Sequence, residues 1–213
     1  CVMLFQHSSA GLLASEARRR QRNTGDITAN VSLRQQRTNL TYLAFITDSD
    51  EVQKLLPQVM IVSTKSLSDV DTHRLQMTMP SNIHVFRRTK AWLSQTIFMD
   101  ILNLLATSIE RVRGKYEFTL CADAFRVHIS RQSLQQYGRL GFRFACIPTG
   151  MTYLLQPADT HLFSRFKHAL RVQSEIFALR RMKSDVNMES LIRAVGVTIM
   201  KIVCGQSWKA AFV

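Results

Sequence analysis

Two carboxylates stand in settings where a chain can use them, Asp123 and Asp159, 36 positions apart. In the run from Tyr116 to His128, Phe118, Leu120 and Ala122 alternate with Glu117, Thr119 and Cys121, and the run stops on Asp123. That alternation is the period of a strand, so the carboxylate is expected at a strand mouth. An Asp there has two uses. Its short side chain folds back on nearby N–H groups as a cap or turn former, or its hard oxygens hold a divalent cation. Asp159 follows a second apolar run, Phe142 to Ile147, which Pro148 and Gly150 end before a helical pattern opens through Leu154, Leu155, Gln156 and Pro157. Turned at ~100° per residue, Phe163, Phe166 and Leu170 share one side with Asp159. His161, Arg165, Lys167, His168 and Arg171 spread over the other. Asp159 is thereby expected to face the sheet.

The elements that must position these acids are legible around them. Leu40 to Thr47 is apolar and β-prone, Asp48-Ser49-Asp50 punctuates it, and residues 57–63 resume an extended pattern, which predicts two antiparallel strands. Ser, Asp and Thr between Ser66 and Pro80 predict a loop. From Lys90, the positions Trp92, Phe98, Ile101, Leu102, Leu105 and Ile109 predict a helix of about five turns with Trp92 as a packing residue. Arg111, Arg113 and Lys115 would close it where cations suit the helix dipole. Residues 172–204 read as two helical patterns broken around Ser184-Asp185-Val186-Asn187, and Trp208 to Val213 as a short further helix. Residues 1–37 carry a basic cluster, Arg18-Arg19-Arg20-Gln21-Arg22, and no periodic element.

Asp123 followed by His128 five positions on, then Ile147-Pro148, Thr152, Leu155-Gln156-Pro157, Asp159 and Phe166-Lys167 in that order, resembles the DDE superfamily of transposase endonucleases, in the mariner and pogo type branch whose third acid is Asp. The likeness takes in Asn39 to Val62, Trp92 and the closing Trp208-Lys209-Ala210-Ala211-Phe212. It implies an α/β, RNase H-like fold, a mixed sheet flanked by helices, with a C-terminal helical extension. Residues 1–38 would form an irregular basic segment, 39–172 the core and 173–213 the extension. It also implies two Mg²⁺ or Mn²⁺ ions held by clustered carboxylates, which activate a nucleophile and stabilise the leaving oxygen of a phosphodiester. Asp123 and Asp159 would be the catalytic and metal-holding acids, His128 would lie at the edge of the site, and Arg126, Arg165, Lys167 and Arg171 would contact DNA. His128 also reads as a structural residue, since no nucleophile pairs with it.

The family places a further acid on its first strand, in an Asp-Glu-Thr or Asp-Gln-Thr type motif that has no counterpart upstream of Asn39. The first strand is therefore expected to be missing, with Cys1-Val2-Met3 lying just past it. Asp48 and Asp50 are not expected to substitute, because an antiparallel second strand of eight residues carries them roughly 25 Å away at ~3.3 Å per residue. Asp26 has no strand pattern leading into it. The family's N-terminal helix-turn-helix module is also not among these residues. The expected function is a transposase-like endonuclease domain for metal-dependent DNA cleavage and strand transfer, inactive as the chain stands. The alternatives are a non-catalytic nucleic-acid-binding or interaction module on the same scaffold and, more weakly, a basic RNA-associated protein.

Composition agrees with a polyanion partner. The formal charge is +13, of which residues 123–213 carry +8, and each phosphate neutralised by Lys or Arg releases counterions and raises affinity. Cys1, Cys121, Cys146 and Cys204 form no Cys-x-x-Cys pair, which argues against a zinc site or disulfide framework and for a reducing compartment, by resemblance the nucleus. No apolar run reaches the ~18 residues that span a bilayer, so no membrane partner is expected. No small-molecule substrate is expected, and an oligomer is left open.

Overall fold

The computed structural model describes residues 2–8, 40–156, 161–180 and 188–212. Strands β1 (Val2–Ser8), β2 (Leu40–Thr47), β3 (Gln58–Ser63), β4 (Ile83–Arg88), β5 (Thr119–Asp123) and β6 (Arg143–Ile147) form one sheet in the order β4-β3-β2-β1-β5-β6. β2 runs against both its neighbours, and every other pairing is parallel. The C-terminal ends of β1, β3, β4, β5 and β6 consequently share one edge of the sheet. Helices α1 (Asp50–Gln53), α2 (Asp69–Thr78), α3 (Gln95–Ser108), α4 (Arg131–Arg139), α5 (Thr152–Leu155), α6 (Phe163–Arg180) and α7 (Met188–Ile199) connect or cover it.

Period-two alternation along the strands builds a core on each face. Leu40, Tyr42, Ala44 and Ile46 of β2 pack with Met60 and Val62 of β3 against Phe163, Phe166 and Leu170 of α6, Ile192 and Val195 of α7, and Trp208. Leu43, Phe45, Val59, Ile61, Leu120 and Ala122 pack against Ile97, Phe98, Ile101, Leu102 and Leu105 of α3. The helical periodicities recognised in the sequence thus find their partners. Phe166 stacks on Tyr42 with ring centroids 5.1 Å apart, which docks α6 on the sheet.

β2 is longer than its pairing with β3, which covers only Leu40 to Leu43. Beyond that point two buried glutamines replace the missing strand. Gln58 accepts from the Phe45 N–H at 3.3 Å and donates to the Phe45 carbonyl at 2.8 Å, and its Oε1 also receives the Tyr42 hydroxyl at 2.7 Å. Gln53 accepts from the Thr47 N–H at 2.9 Å and reaches the same Phe45 carbonyl at 3.3 Å. Amide side chains carry one donor group and one acceptor, as a peptide does, and so satisfy a strand edge that is closed to water.

Several sequence expectations need correction. The first strand is present: Val2–Ser8 lies between β2 and β5, in a stretch read as irregular because seven residues without alternation carry no period-two signal. The segment expected as a loop contains α2, whose N-cap Ser68 accepts from the Asp71 N–H. Only Leu75 of α2 is fully buried, so its apolar stripe is too thin to read. α3 starts at Gln95, capped by Ser94, and not near Lys90. Trp92 precedes it and is 63% exposed rather than packed. The cations beyond α3 serve tertiary contacts instead of its dipole. Arg113 donates to the Leu140 carbonyl at 2.6 Å and lies over the Phe142 ring, and Lys115 pairs with Glu51. β4 lies in a stretch where no element was expected.

Candidate functional site

Asp123 ends β5 at the shared C-terminal edge, the side of an open α/β sheet on which ligands characteristically bind. Leu120 and Ala122 point into the α3 layer and Cys121 packs in the α6–α7 layer. Strand alternation therefore assigns Asp123 to the α6–α7 side. The following residues form a tight loop fixed from behind. The Phe125 N–H donates to Asp123 Oδ1 at 3.3 Å, and His128 Nδ1 lies 2.7 Å from the same oxygen. Among the described residues no donor reaches Oδ2, and the Asp123 side chain is 38% exposed. One carboxylate oxygen is held while the other stays open, the arrangement by which an outer partner orients a ligating acid.

His128 is 1% exposed, with its ring 5.0 Å from Phe98 and 5.6 Å from Phe125. Its Nε2 is buried and finds no polar partner among the described residues, which assigns the donated proton to Nδ1. Tyr137 holds the loop by donating to the His128 carbonyl at 3.0 Å. Ser130 caps α4 and Ser133 accepts from Gln95 Nε2 at 2.8 Å, tying the loop to the start of α3. Past the Leu140 cap of α4, Gly141 has a φ of +69° that lets the Phe142 N–H return to the Tyr137 carbonyl at 2.9 Å. Sequence reasoning missed Phe98, Tyr137 and Ser133 as supports of the site. The Ser at 130 before a helical run was the available signal for the cap.

For Asp123, burial acts as the largest single influence and raises the carboxyl pKa. The His128 hydrogen bond, its electrostatic pull and the Phe125 N–H together outweigh burial and leave the pKa below the ordinary value. A depressed carboxylate stabilises the fold fully above its unfolded pKa of about 3.9, and loses that contribution as pH falls through the folded value. His128→Phe, which keeps the ring volume and removes Nδ1, is expected to raise the Asp123 pKa and to flatten stability against pH between about pH 4 and the lower folded value. Carboxyl titration by carbon NMR checks the first, and thermal unfolding across that window the second. An unchanged Asp123 titration would show that the pair is not coupled.

The other expected site residues fall in three places. Arg126 is exposed in the loop beside Asp123. On α6, Arg165, His168 and Arg171 are exposed, turned away from Phe163, Phe166 and Leu170, whereas Lys167 is half-buried at the flank of that buried stripe and not opposite it as expected. Asp159 and Asp26 lie outside the described residues, so the meeting of Asp123 and Asp159 is not observed. Asp48 is closer to the site than the sequence estimate. Thr47 pairs with Val2 and Val2 with Leu120, so Asp48 is level with Thr119, about 13 Å along the strands from Asp123 at ~3.3 Å per residue, and two strands across. That is still too far for a shared ion. Asp50 is engaged by Lys209 at 2.9 Å.

The register of the two central strands bears directly on the metal chemistry. Val2 pairs with Leu120 and Met3 with Cys121, and continuing this register sets Phe5 level with Asp123. Phenylalanine offers no oxygen. Among the described residues no group of three or more His, Cys, Asp or Glu is placed to hold an ion. Of the expected ligands only Asp123 is among the described residues, and its open Oδ2 is the kind of hard oxygen a divalent cation takes.

A mixed sheet of this order, with its second strand reversed, its acid at the end of the strand beside the first and helices on both faces, defines an RNase H-like domain. The pattern of the DDE superfamily endonucleases matches residues 19–208, and the chain belongs to that family. Among solved structures it is similar to the Mos1 transposase paired-end complex with left transposon end, with a TM-score of 0.48 and 13% identity over 99% of this chain. It spans about half of that chain, 54%. No curated protein matches it.

Proposed function

We propose that this chain is a DDE-family domain that binds DNA through its basic surfaces and does not cleave it. The single observation supporting this reading is the β1–β5 register, Val2 with Leu120 and Met3 with Cys121, whose continuation brings Phe5, and no acid, level with Asp123. Divalent-ion catalysis of phosphodiester cleavage in this family depends on clustered carboxylates, and Asp123 with Asp159 supplies at most two. In this reading Asp123 and Asp159 are the surviving ligands for Mg²⁺ or Mn²⁺, His128 orients Asp123, and Arg126, Arg165, Lys167 and Arg171 take DNA phosphates. The mariner and pogo type of the motif order, and the nucleus as compartment, belong to the same proposal. Among the described residues no helix is long and apolar enough to cross a membrane.

The test pairs a nuclease assay with metal titration. The wild-type chain is expected to leave supercoiled plasmid intact in millimolar Mn²⁺. Phe5→Asp is expected to tighten Mn²⁺ binding by calorimetry and to introduce nicking that Phe5→Asp with Asp123→Asn lacks. Nicking by the wild type that Asp123→Asn removes would overturn the inactive reading. Indistinguishable Mn²⁺ binding by wild type and Asp159→Asn would remove Asp159 from the site.

The DNA reading has its own measurement. Log affinity for duplex DNA is expected to fall linearly with log salt, and each of Arg165→Gln, Lys167→Gln and Arg171→Gln to reduce the slope by about 1. Slopes equal to wild type in all three would exclude α6 as the contact face.

A further inference from the structure

The sheet edge that carries Asp123 also gathers apolar side chains that folding has left in water. Trp92, after β4, is 63% exposed, while its neighbours Ala91 and Leu93 are 4% and 5% exposed. The Thr41 hydroxyl donates to the Ala91 carbonyl, pinning this segment to the start of β2, and Leu93 enters the α3 core. The backbone at Trp92 is thus fixed on both sides and the indole is held outward, so its exposure is built in and not a frayed end. Phe125 and Ile129, in the loop after β5, are 40% and 41% exposed. A short chain of contacts joins the two segments: three residues past Trp92, Gln95 bonds Ser133, and Phe98 touches the His128 ring that holds Asp123.

The charges on this edge select the partner. Lys65 after β3, Lys90 two residues before Trp92, and Arg126 beside Phe125 are exposed, and among the described residues none of the three is ion-paired. Arg87 and Arg88 on the same edge are taken by Asp69 and Asp100. A flat aromatic on an edge that also carries unpaired cations fits a strand whose bases have exposed faces and whose backbone is anionic; a greasy protein helix would leave the cations unanswered. In a continuous duplex the base faces are covered by their neighbours, so an indole at this place has a face to meet only where the strand is unpaired.

We propose that Trp92 is a stacking platform for an unpaired DNA base at the edge beside Asp123, with Lys90 and Arg126 on the flanking phosphates. This rests on the DNA-binding reading and narrows it to single-stranded or locally opened DNA at this edge. It also accounts for an exposed Trp that the core would otherwise have used.

The chain contains two tryptophans. Trp208 is buried, with its Nε1–H donating to the Val203 carbonyl at 2.9 Å, so a ligand on this edge should quench Trp92 selectively. The experiment titrates the full chain with a dT12 oligonucleotide, the same length of abasic strand, and a blunt 12-base-pair duplex. dT12 is expected to quench emission, and Trp92→Ala to weaken dT12 by about tenfold or more while Trp92→Phe retains most of the affinity. The abasic strand should bind wild type and Trp92→Ala alike. Lys90→Gln with Arg126→Gln should lower the salt slope for dT12 by about 1.4, two contacts at ~0.7 each on a single strand. Equal dT12 affinity in wild type and Trp92→Ala, or no quenching by dT12, overturns the stacking proposal while duplex binding with its α6 salt slope leaves the DNA reading standing. No binding to any of the three nucleic acids at low salt overturns both. Quenching of Trp92 by raising the protein concentration alone, without DNA, would assign the edge to self-association and overturn the proposal.

Discussion

Phe98→Ala is expected to destabilise the domain by about 3–5 kcal/mol, the usual cost of truncating a fully buried aromatic. Phe98 is wholly enclosed in α3. It meets the His128 ring on one side and the edge of Tyr137, at 6.3 Å, on another. The loss combines removed apolar transfer with a cavity that the rest of this core can only partly fill. For a chain of this length the melting temperature should drop by roughly 10 °C. The second consequence separates this position from an ordinary core site. With its support removed, His128 is freer to leave Asp123, so the Asp123 carboxyl should titrate higher in Phe98→Ala than in wild type. Phe98→Leu should cost less than Phe98→Ala, since it keeps most of the volume. Denaturant midpoints and carboxyl titration on the same samples check both parts, and a loss below about 1 kcal/mol with an unmoved Asp123 titration would contradict them.

Gln58→Leu is expected to cost about 2–5 kcal/mol although it preserves volume and adds apolar character. The position is completely buried, and the change leaves the Phe45 N–H and the Tyr42 hydroxyl without their acceptor, at ~1–3 kcal/mol for each unsatisfied group. The Phe45 carbonyl keeps Gln53 and should contribute little to the loss. Combining Gln58→Leu with Tyr42→Phe removes both ends of one bond. The double variant is therefore expected to be more stable than the sum of the single losses predicts, by about 1 kcal/mol or more in a double-mutant cycle. Strict additivity would mean that the Tyr42 hydroxyl finds another partner.

Where sequence patterns were strong, the fold was readable. β2 runs from Leu40 to Thr47 as its apolar run indicated, and β5 ends on Asp123 as the alternation required. Phe163, Phe166 and Leu170 are buried on one face of α6, with Arg165, His168 and Arg171 opposite. Each of these rests on a periodic contrast between a wet and a dry side. Elements without that contrast stayed hidden. Val2–Ser8 is a central strand with neighbours on both sides, and α2 is held by its Ser68 cap and one buried Leu.

The site was half legible for a similar reason. Asp123 and His128 are found from an ordered motif, but the contact between them depends on a loop closed by Tyr137 and backed by Phe98, from other elements. Trp92 shows the converse failure. Aromatic residues at helical spacing usually pack, and this one lies three residues before the helix begins. The Ser94 cap that excludes it from α3 was visible, yet a cap outranks spacing only once the helix start is known.

The position of β1 also governs how the molecule can assemble. The chain's earliest described segment is the sheet's middle plank, joined on one flank to β2 and on the other to β5, whose residues are synthesised more than a hundred positions later. Until β5 emerges, one flank of β1 carries open peptide groups, the hazard of any uncovered strand margin. Pairings this remote in sequence also close slowly, because the loop entropy is lost before the contact forms. Refolding is accordingly expected to be limited by insertion of β1, with the β2–β3 pair protected from hydrogen exchange first and β5 last.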